Sequence, residues 1–155
     1  MIEGGYVSEE NEKYQWFWDG LDQYLQKNGM KQSSQRRVIV QYFLNLGSHV
    51  HAEDIHTAMR GDGHIVGLAT IYRALSLLKD AGLVHQMTFG DGKRVFEIFD
   101  PDEHHDHLIC QECGSVSEFH NEEIERLQDD VAKFAGFRVL SHRHELYGIC
   151  RGCQG

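Results

Sequence analysis

The sequence predicts an α+β chain in two parts, helices followed by a β-hairpin and then a smaller mixed unit. Three observations predict it. Apolar residues recur at helical spacing in four segments before Ala81, then give way to a strand–turn–strand pattern. The only proline, Pro101, falls in the polar stretch FDPDEHHDH, where the pattern changes. A proline after aspartate, between an apolar strand and a histidine cluster, reads as a hinge and divides residues 1–100 from 101–155. Beyond it, two Cys-x-x-Cys pairs occupy the two ends of the second part.

Along the first part, Tyr14 to Gln26 is aromatic-rich, with Phe17, Leu21 and Tyr24 at helical spacing. Ser33 or Ser34 can cap a second helix whose Val38, Ile39, Tyr42 and Phe43 face a core. A third, short helix runs near Ala52–Met59, with Ile55 and Met59 one turn apart. After the loop GDGHIVG comes a fourth, Leu68–Ala81, buried along Ile71, Leu75 and Leu78 and closed by Gly82. LVHQMTF and RVFEIF then flank GDGK, a strong hairpin signal. Helices followed by such a hairpin are in the order of a winged helix-turn-helix. In the second part, HDHLIC and VSEF alternate as strands, and Glu122–Ala135 is amphipathic through Ile124, Leu127, Val131 and Phe134. FRVLSHRHELYGIC reads as another strand region. This small α/β domain buries little by itself, so pairing with a second copy would help stabilise it.

The chain has 155 residues, with 41% apolar and 25% charged, ordinary values for a globular protein. No stretch nears the roughly 18 apolar residues of a membrane span, and MIEGGYVSEENEKY lacks a basic-then-apolar signal pattern. A cytoplasmic location is therefore expected, where thiols stay reduced and four cysteines read first as metal ligands. Net charge is −9, which argues against nucleic acid until its distribution is considered. Residues 29–79 carry six Lys/Arg against three Asp/Glu, whereas residues 91–155 carry seven against fourteen, with six of the eleven histidines. A mildly basic front half and an acidic, His/Cys-rich back half point to two tasks on one chain.

Cys110-x-x-Cys113 and Cys150-x-x-Cys153 carry the most specific chemistry. Each turn presents two thiolates to one point, and two turns complete a closed tetrahedral zinc site of structural type. Buried cysteines or a redox pair are the weaker alternative. In His104-His105-Asp106-His107, strand geometry sends His105 and His107 to one face, and His104 and Asp106 to the other. One strand can thus serve two metal sites, recruiting Glu97, Glu118, Glu125, His142 or His49. Imidazole mixed with carboxylate suits Fe²⁺, Mn²⁺, Co²⁺ or Zn²⁺. In GLATIYRALSLL, burying Ile71, Leu75 and Leu78 leaves Ala69, Thr70, Tyr72, Arg73 and Ser76 toward the other surface, a set suited to reading a DNA groove. Lys31, Arg36, Arg37, Lys93 and Arg94 can contact its backbone or minor groove.

GMKQSSQR, HAED, GLATIYRAL, the hairpin ending VFE, HHDHLIC-x-x-CG, EF and ELYG-x-C, in that order, resemble the ferric uptake regulator (Fur) family from about residue 16 onward. The resemblance implies a homodimeric, metal-dependent repressor closing winged helices onto an AT-rich inverted repeat in double-stranded DNA, with assembly to a tetramer left open. It implies DNA contacts at Tyr72 and Arg73 and a minor-groove lysine at Lys31. Structural Zn²⁺ would lie on Cys110, Cys113, Cys150 and Cys153. A regulatory site bridging the two domains would use His49, Glu97, His105, His107 and Glu118. An additional site would use His104, Asp106, Glu125 and His142. Peroxide sensors of the family typically carry aspartates where Glu97 and Glu118 stand, so the resemblance favours the iron-uptake type, with Fe²⁺, or else Mn²⁺ or Zn²⁺, as the regulatory metal. Zinc-, manganese- and peroxide-sensing members remain the alternatives. A departure is the aromatic run Trp16-Phe17-Trp18, which leaves open added contacts to DNA or between copies. A zinc-dependent enzyme is the competing class. It needs an open coordination position and a placed acid or base, and no HExxH or nucleophile–base signature is present.

Overall fold

The computed structural model describes residues 13–88, 92–100 and 105–155. His104, Pro101 and the Gly90-Asp91 half of the expected hairpin turn lie outside them. The chain forms two compact units, one holding the described residues up to Met87 with Arg94–Phe99. The other holds the described residues from Thr88 to Lys93 and from Asp100 to Gly155.

The first unit is built from α1 (Gln15–Lys27), α2 (Ser34–Leu46), α3 (Ala52–Gly61), α4 (Leu68–Asp80) and the paired strands β1 (Val84–Thr88) and β2 (Arg94–Ile98). Helix α1 buries Phe17, Trp18, Leu21 and Leu25 in the same core as the other helices, with Trp16 packed partly against it. Phe17 and Trp18 are therefore core residues, while Trp16 is half-buried at the margin of the core. The Ser33 hydroxyl caps α2 by accepting from the Arg36 N–H at 3.1 Å. Helix α2 buries Ile39, Val40, Phe43 and Leu44, while Val38 and Tyr42 are half-buried at the margin of the core. A helix enclosed on several sides buries a wider arc than one narrow stripe, and this brings in Val40 and Leu44. Replacing Ser33 with alanine orphans one amide and is expected to cost about 1 kcal/mol. Thermal denaturation should show this as a melting point lower by roughly 4 °C.

Helix α3 buries Ala52, Ile55 and Met59, and α4 buries Ile71, Ala74, Leu75 and Leu78. Gly82 follows the end of α4 at φ +73°, the left-handed position that favours glycine there. Strand β2 also pairs outside the hairpin. The Val50 N–H donates to the Phe96 carbonyl, and the Phe96 N–H donates back to the Val50 carbonyl, both at 2.8 Å.

The second unit is a three-stranded sheet of β3 (Asp106–Cys110), β4 (Val116–Phe119) and β5 (Glu145–Gly148), with helix α5 (Glu122–Phe134) following β4. The strand order is β4-β3-β5, antiparallel across β3–β4 and parallel across β3–β5. Asn121 Oδ1 caps α5 by accepting from the N–H groups of Glu123 (3.0 Å) and Ile124 (3.1 Å). Glu122, Glu123 and Glu125 add favourable charge to its first turn. One expectation needs correction. The strand region proposed from Phe137 onward forms a strand only at Glu145–Gly148, where β3 supplies a ladder along residues 107–110. Helix α5 is amphipathic as expected, and none of its residues is buried within the chain. No helix among the described residues is long and apolar enough to cross a membrane.

Candidate metal centres and nucleic-acid surface

Strands β3 and β5 run parallel, with Cys110 opposite Gly148, so both end at one edge of the sheet. The turns that follow them are the two Cys-x-x-Cys segments. The Cys110 carbonyl accepts from the Gly114 N–H at 3.0 Å, and the Cys150 carbonyl accepts from the Cys153 N–H at 2.9 Å. All four sulfurs converge to within 4.8 Å of one another. Cys113 and Cys150 are separated by 3.8 Å, S to S. Tetrahedral ligation with Zn–S bonds of about 2.3 Å requires about the same edge. The Cys113 and Cys150 N–H groups hold the Cys110 thiol down to about 6, whereas the Cys150 and Cys113 sulfurs push Cys153 up to about 12. Four thiolates this close repel one another unless a cation neutralises them. The donor set and its spacing therefore fit zinc, held by Cys110, Cys113, Cys150 and Cys153.

In the second unit, Asp106 and His107 occupy successive, oppositely facing positions of β3, and the two groups of partners differ accordingly. On one side, the His105 and His107 rings meet edge to face at 5.1 Å between centroids, and His105 Nε2 lies 3.8 Å from Glu118 Oε1. Glu118 is the register partner of His107 on β4. On the other side, Asp106, Glu125 of α5 and His142 bring one ligand atom each within 4.8 Å of the others, and His142 Nε2 stands 3.2 Å from Glu125 Oε2. Asp106 is 1% exposed, and neither carboxylate oxygen has a hydrogen bond among the described residues. A buried carboxylate in that condition calls for a cation, so these residues too fit a metal.

In the first unit, the Val50–Phe96 pairing places the preceding His49 beside the following Glu97 on β2. His49 Nε2 is 3.5 Å from Glu97 Oε1, and Glu97 is buried. His49 has φ +60°, the only non-glycine residue among those described in the left-handed region. Such a conformation costs of order 1–3 kcal/mol and persists where surrounding structure imposes it. The two hydrogen bonds of Val50 supply that constraint.

The DNA candidates fall in two places on this unit. Arg36, Thr70 and Arg73 line one cleft between the start of α2 and α4, together with Ser33 and Gln35. Arg73 donates to Thr70 Oγ1 at 2.9 Å, and Arg36 donates to the Lys31 carbonyl at 2.9 Å, anchoring the segment that carries Lys31. Tyr72 lies elsewhere. Its hydroxyl donates to Glu53 Oε1 at 3.0 Å, and the Arg94 guanidinium covers its ring at 5.6 Å. Burial first, and then the Glu53 carboxylate, raise the Tyr72 pKa. Sequence reasoning missed Glu53 as the partner that holds Tyr72, because nothing in HAED signals which side chain it will meet. It also missed His144, whose Nδ1 lies 3.4 Å from Asp106 Oδ2.

A helix-turn-helix unit with a hairpin, joined in one chain to a unit carrying clustered metal ligands, defines a metal-responsive transcription regulator. The sequence profile of the ferric uptake regulator family matches residues 27–147. Among curated relatives, the ferric uptake regulation protein of Neisseria meningitidis serogroup A is 40% identical over 131 residues, 84% of this chain and 90% of that protein. Among solved structures, the Helicobacter pylori ferric uptake regulator, described with three functional metal-binding sites, superposes with a TM-score of 0.76 at 30% identity, over 91% of this chain and 94% of that one. The Pseudomonas aeruginosa ferric uptake regulator, solved with manganese, gives 0.70 at 36% identity, over 84% and 97%. The chain belongs to the ferric uptake regulator family. Its members are transcription regulators rather than enzymes.

Proposed function

We propose that the chain is an iron-responsive repressor that binds an AT-rich inverted repeat as a homodimer. One observation carries the switch. His49 and Glu97 are paired at 3.5 Å in the first unit, while the second unit separately presents His105 against Glu118, with His107 beside them on β3. Five residues divided in this way can share one Fe²⁺ only in one relative orientation of the two units. Holding the ion thereby favours that orientation, with a coupling of about 1–3 kcal/mol, or roughly 5–150-fold in operator affinity. Glutamate at positions 97 and 118 supports iron as the physiological effector, as does the ferric uptake assignment of the meningococcal relative.

Tyr72, Arg73 and Thr70 on α4 would read and grip the duplex, with Arg36 and Lys31 on its backbone or minor groove. The second copy would cover the apolar side of α5 and the segment after it. Ile124, Leu127, Val131, Phe137 and Leu140 line one open groove there. The test is fluorescence anisotropy of an AT-rich inverted-repeat duplex under anaerobic conditions, with cysteine-bound zinc retained and Fe²⁺, Mn²⁺ or Zn²⁺ added. Binding should tighten with Fe²⁺, and His49→Ala should abolish the response while leaving zinc content unchanged. Equal binding with and without added metal would overturn the switch.

A further inference from the structure

We propose that His144 is a positioning residue for the additional metal site, donating from Nδ1–H to Asp106 Oδ2 so that Oδ1 is turned toward the ion. This rests on the reading that Asp106, Glu125 and His142 hold a cation.

The argument starts from Asp106. It is 1% exposed, so water cannot solvate its carboxylate, and neither oxygen accepts a hydrogen bond among the described residues. Two oxygens in a dry site need two compensations. A cation shared with Glu125 and His142 would supply one, and His144 Nδ1, 3.4 Å from Oδ2, stands where a small closing movement would supply the other. That nitrogen is itself buried and makes no hydrogen bond among the described residues. The backbone fixes its place: the His144 carbonyl accepts from the His107 N–H at 3.1 Å, just before β5 begins its ladder on β3. The Phe119 ring lies edge-on to the imidazole at 5.8 Å between centroids, limiting its rotation.

His144 is not a fourth ligand in this arrangement. Among the described residues, the mutually converging ligand atoms are those of Asp106, Glu125 and His142, and the His144 nitrogen is outside that set. An imidazole that orients a ligating carboxylate is a recognised outer partner, and its loss typically weakens metal affinity 10–100-fold.

The experiment titrates Co²⁺ into the full-length, zinc-containing protein against a competing chelator, following the visible absorption of bound cobalt. Asp106→Ala identifies the contribution of this site. His144→Ala should weaken that contribution 10–100-fold, with zinc content and circular dichroism unchanged. His144→Asn, whose amide nitrogen stands where Nδ1 stood, should recover most of the affinity and keep the wild-type absorption envelope. Wild-type affinity in His144→Ala overturns the proposal. So does an Asn variant as weak as the Ala variant with a changed envelope, because His144 would then be a direct ligand. If Asp106→Ala binds as much cobalt as wild type, the underlying site is absent and the proposal falls with it.

Discussion

Replacing Cys150 with serine, or stripping zinc with a thiol-reactive agent and a chelator, should unfold the second unit and leave the first folded. The reason is the small apolar interior of the sheet. Its buried apolar residues among those described are Ile109 and Cys110, whereas the first unit encloses four helices around Phe17, Phe43, Ile55, Leu75 and Phe96. Structural zinc in small peptides contributes about 10–16 kcal/mol at neutral pH. That matches or exceeds the whole stability of a typical domain, about 5–15 kcal/mol. The four sulfurs tie the end of β3 to the end of β5, so losing one ligand opens the parallel edge. Hydrogen exchange should show amide protection lost across residues 106–119 and 145–150 but retained in α1 to α4. Retained protection in the sheet after verified zinc loss would show that the metal is not structural.

Phe134→Asp should separate the copies. On the otherwise acidic helix α5, Phe134 is 96% exposed and Val131 is 69% exposed, and Leu140 in the segment after it is 83% exposed. Isolated apolar residues on a surface are ordinary, but Phe134 ends the apolar stripe of Leu127 and Val131, which line the groove with Phe137 and Leu140, and a continuous apolar surface marks a contact face. A carboxylate placed in such a contact loses its hydration without gaining a partner, at a cost of about 3 kcal/mol or more. At 1.4 kcal/mol per tenfold, the dimer dissociation constant should rise by roughly 100-fold or more. Sedimentation at micromolar concentration should show wild-type dimer and Phe134→Asp monomer, with helicity unchanged. An unaltered dimer would place the subunit contact on another face.

Family membership was legible in the sequence because its motifs combine local signals of unequal strength. GLATIYR reads as a helix with Tyr72 and Arg73 turned away from its buried stripe, and HHDHLIC-x-x-C places alternating ligands next to a thiol pair. The alternation predicted for His105, Asp106 and His107 matches their partners, because side-chain period two is a property of the extended backbone itself. The aromatic run in α1 was only half legible. Its spacing gave the helix, but packing against a core depends on surfaces that other helices provide.

The sequence by itself determined the helices, the hairpin, the two Cys-x-x-Cys turns and the opposed faces of residues 105–107, since each follows from periodicity, turn chemistry or ligand spacing. Only the tertiary structure decided that β5 lies parallel to β3, which brings four sulfurs to one edge. It alone showed Val50 pairing with Phe96 and holding His49 at φ +60° against Glu97, Glu53 holding Tyr72, and His144 meeting Asp106. These contacts join residues distant along the chain, and local pattern carries no information about which of many compatible partners the packed chain will select.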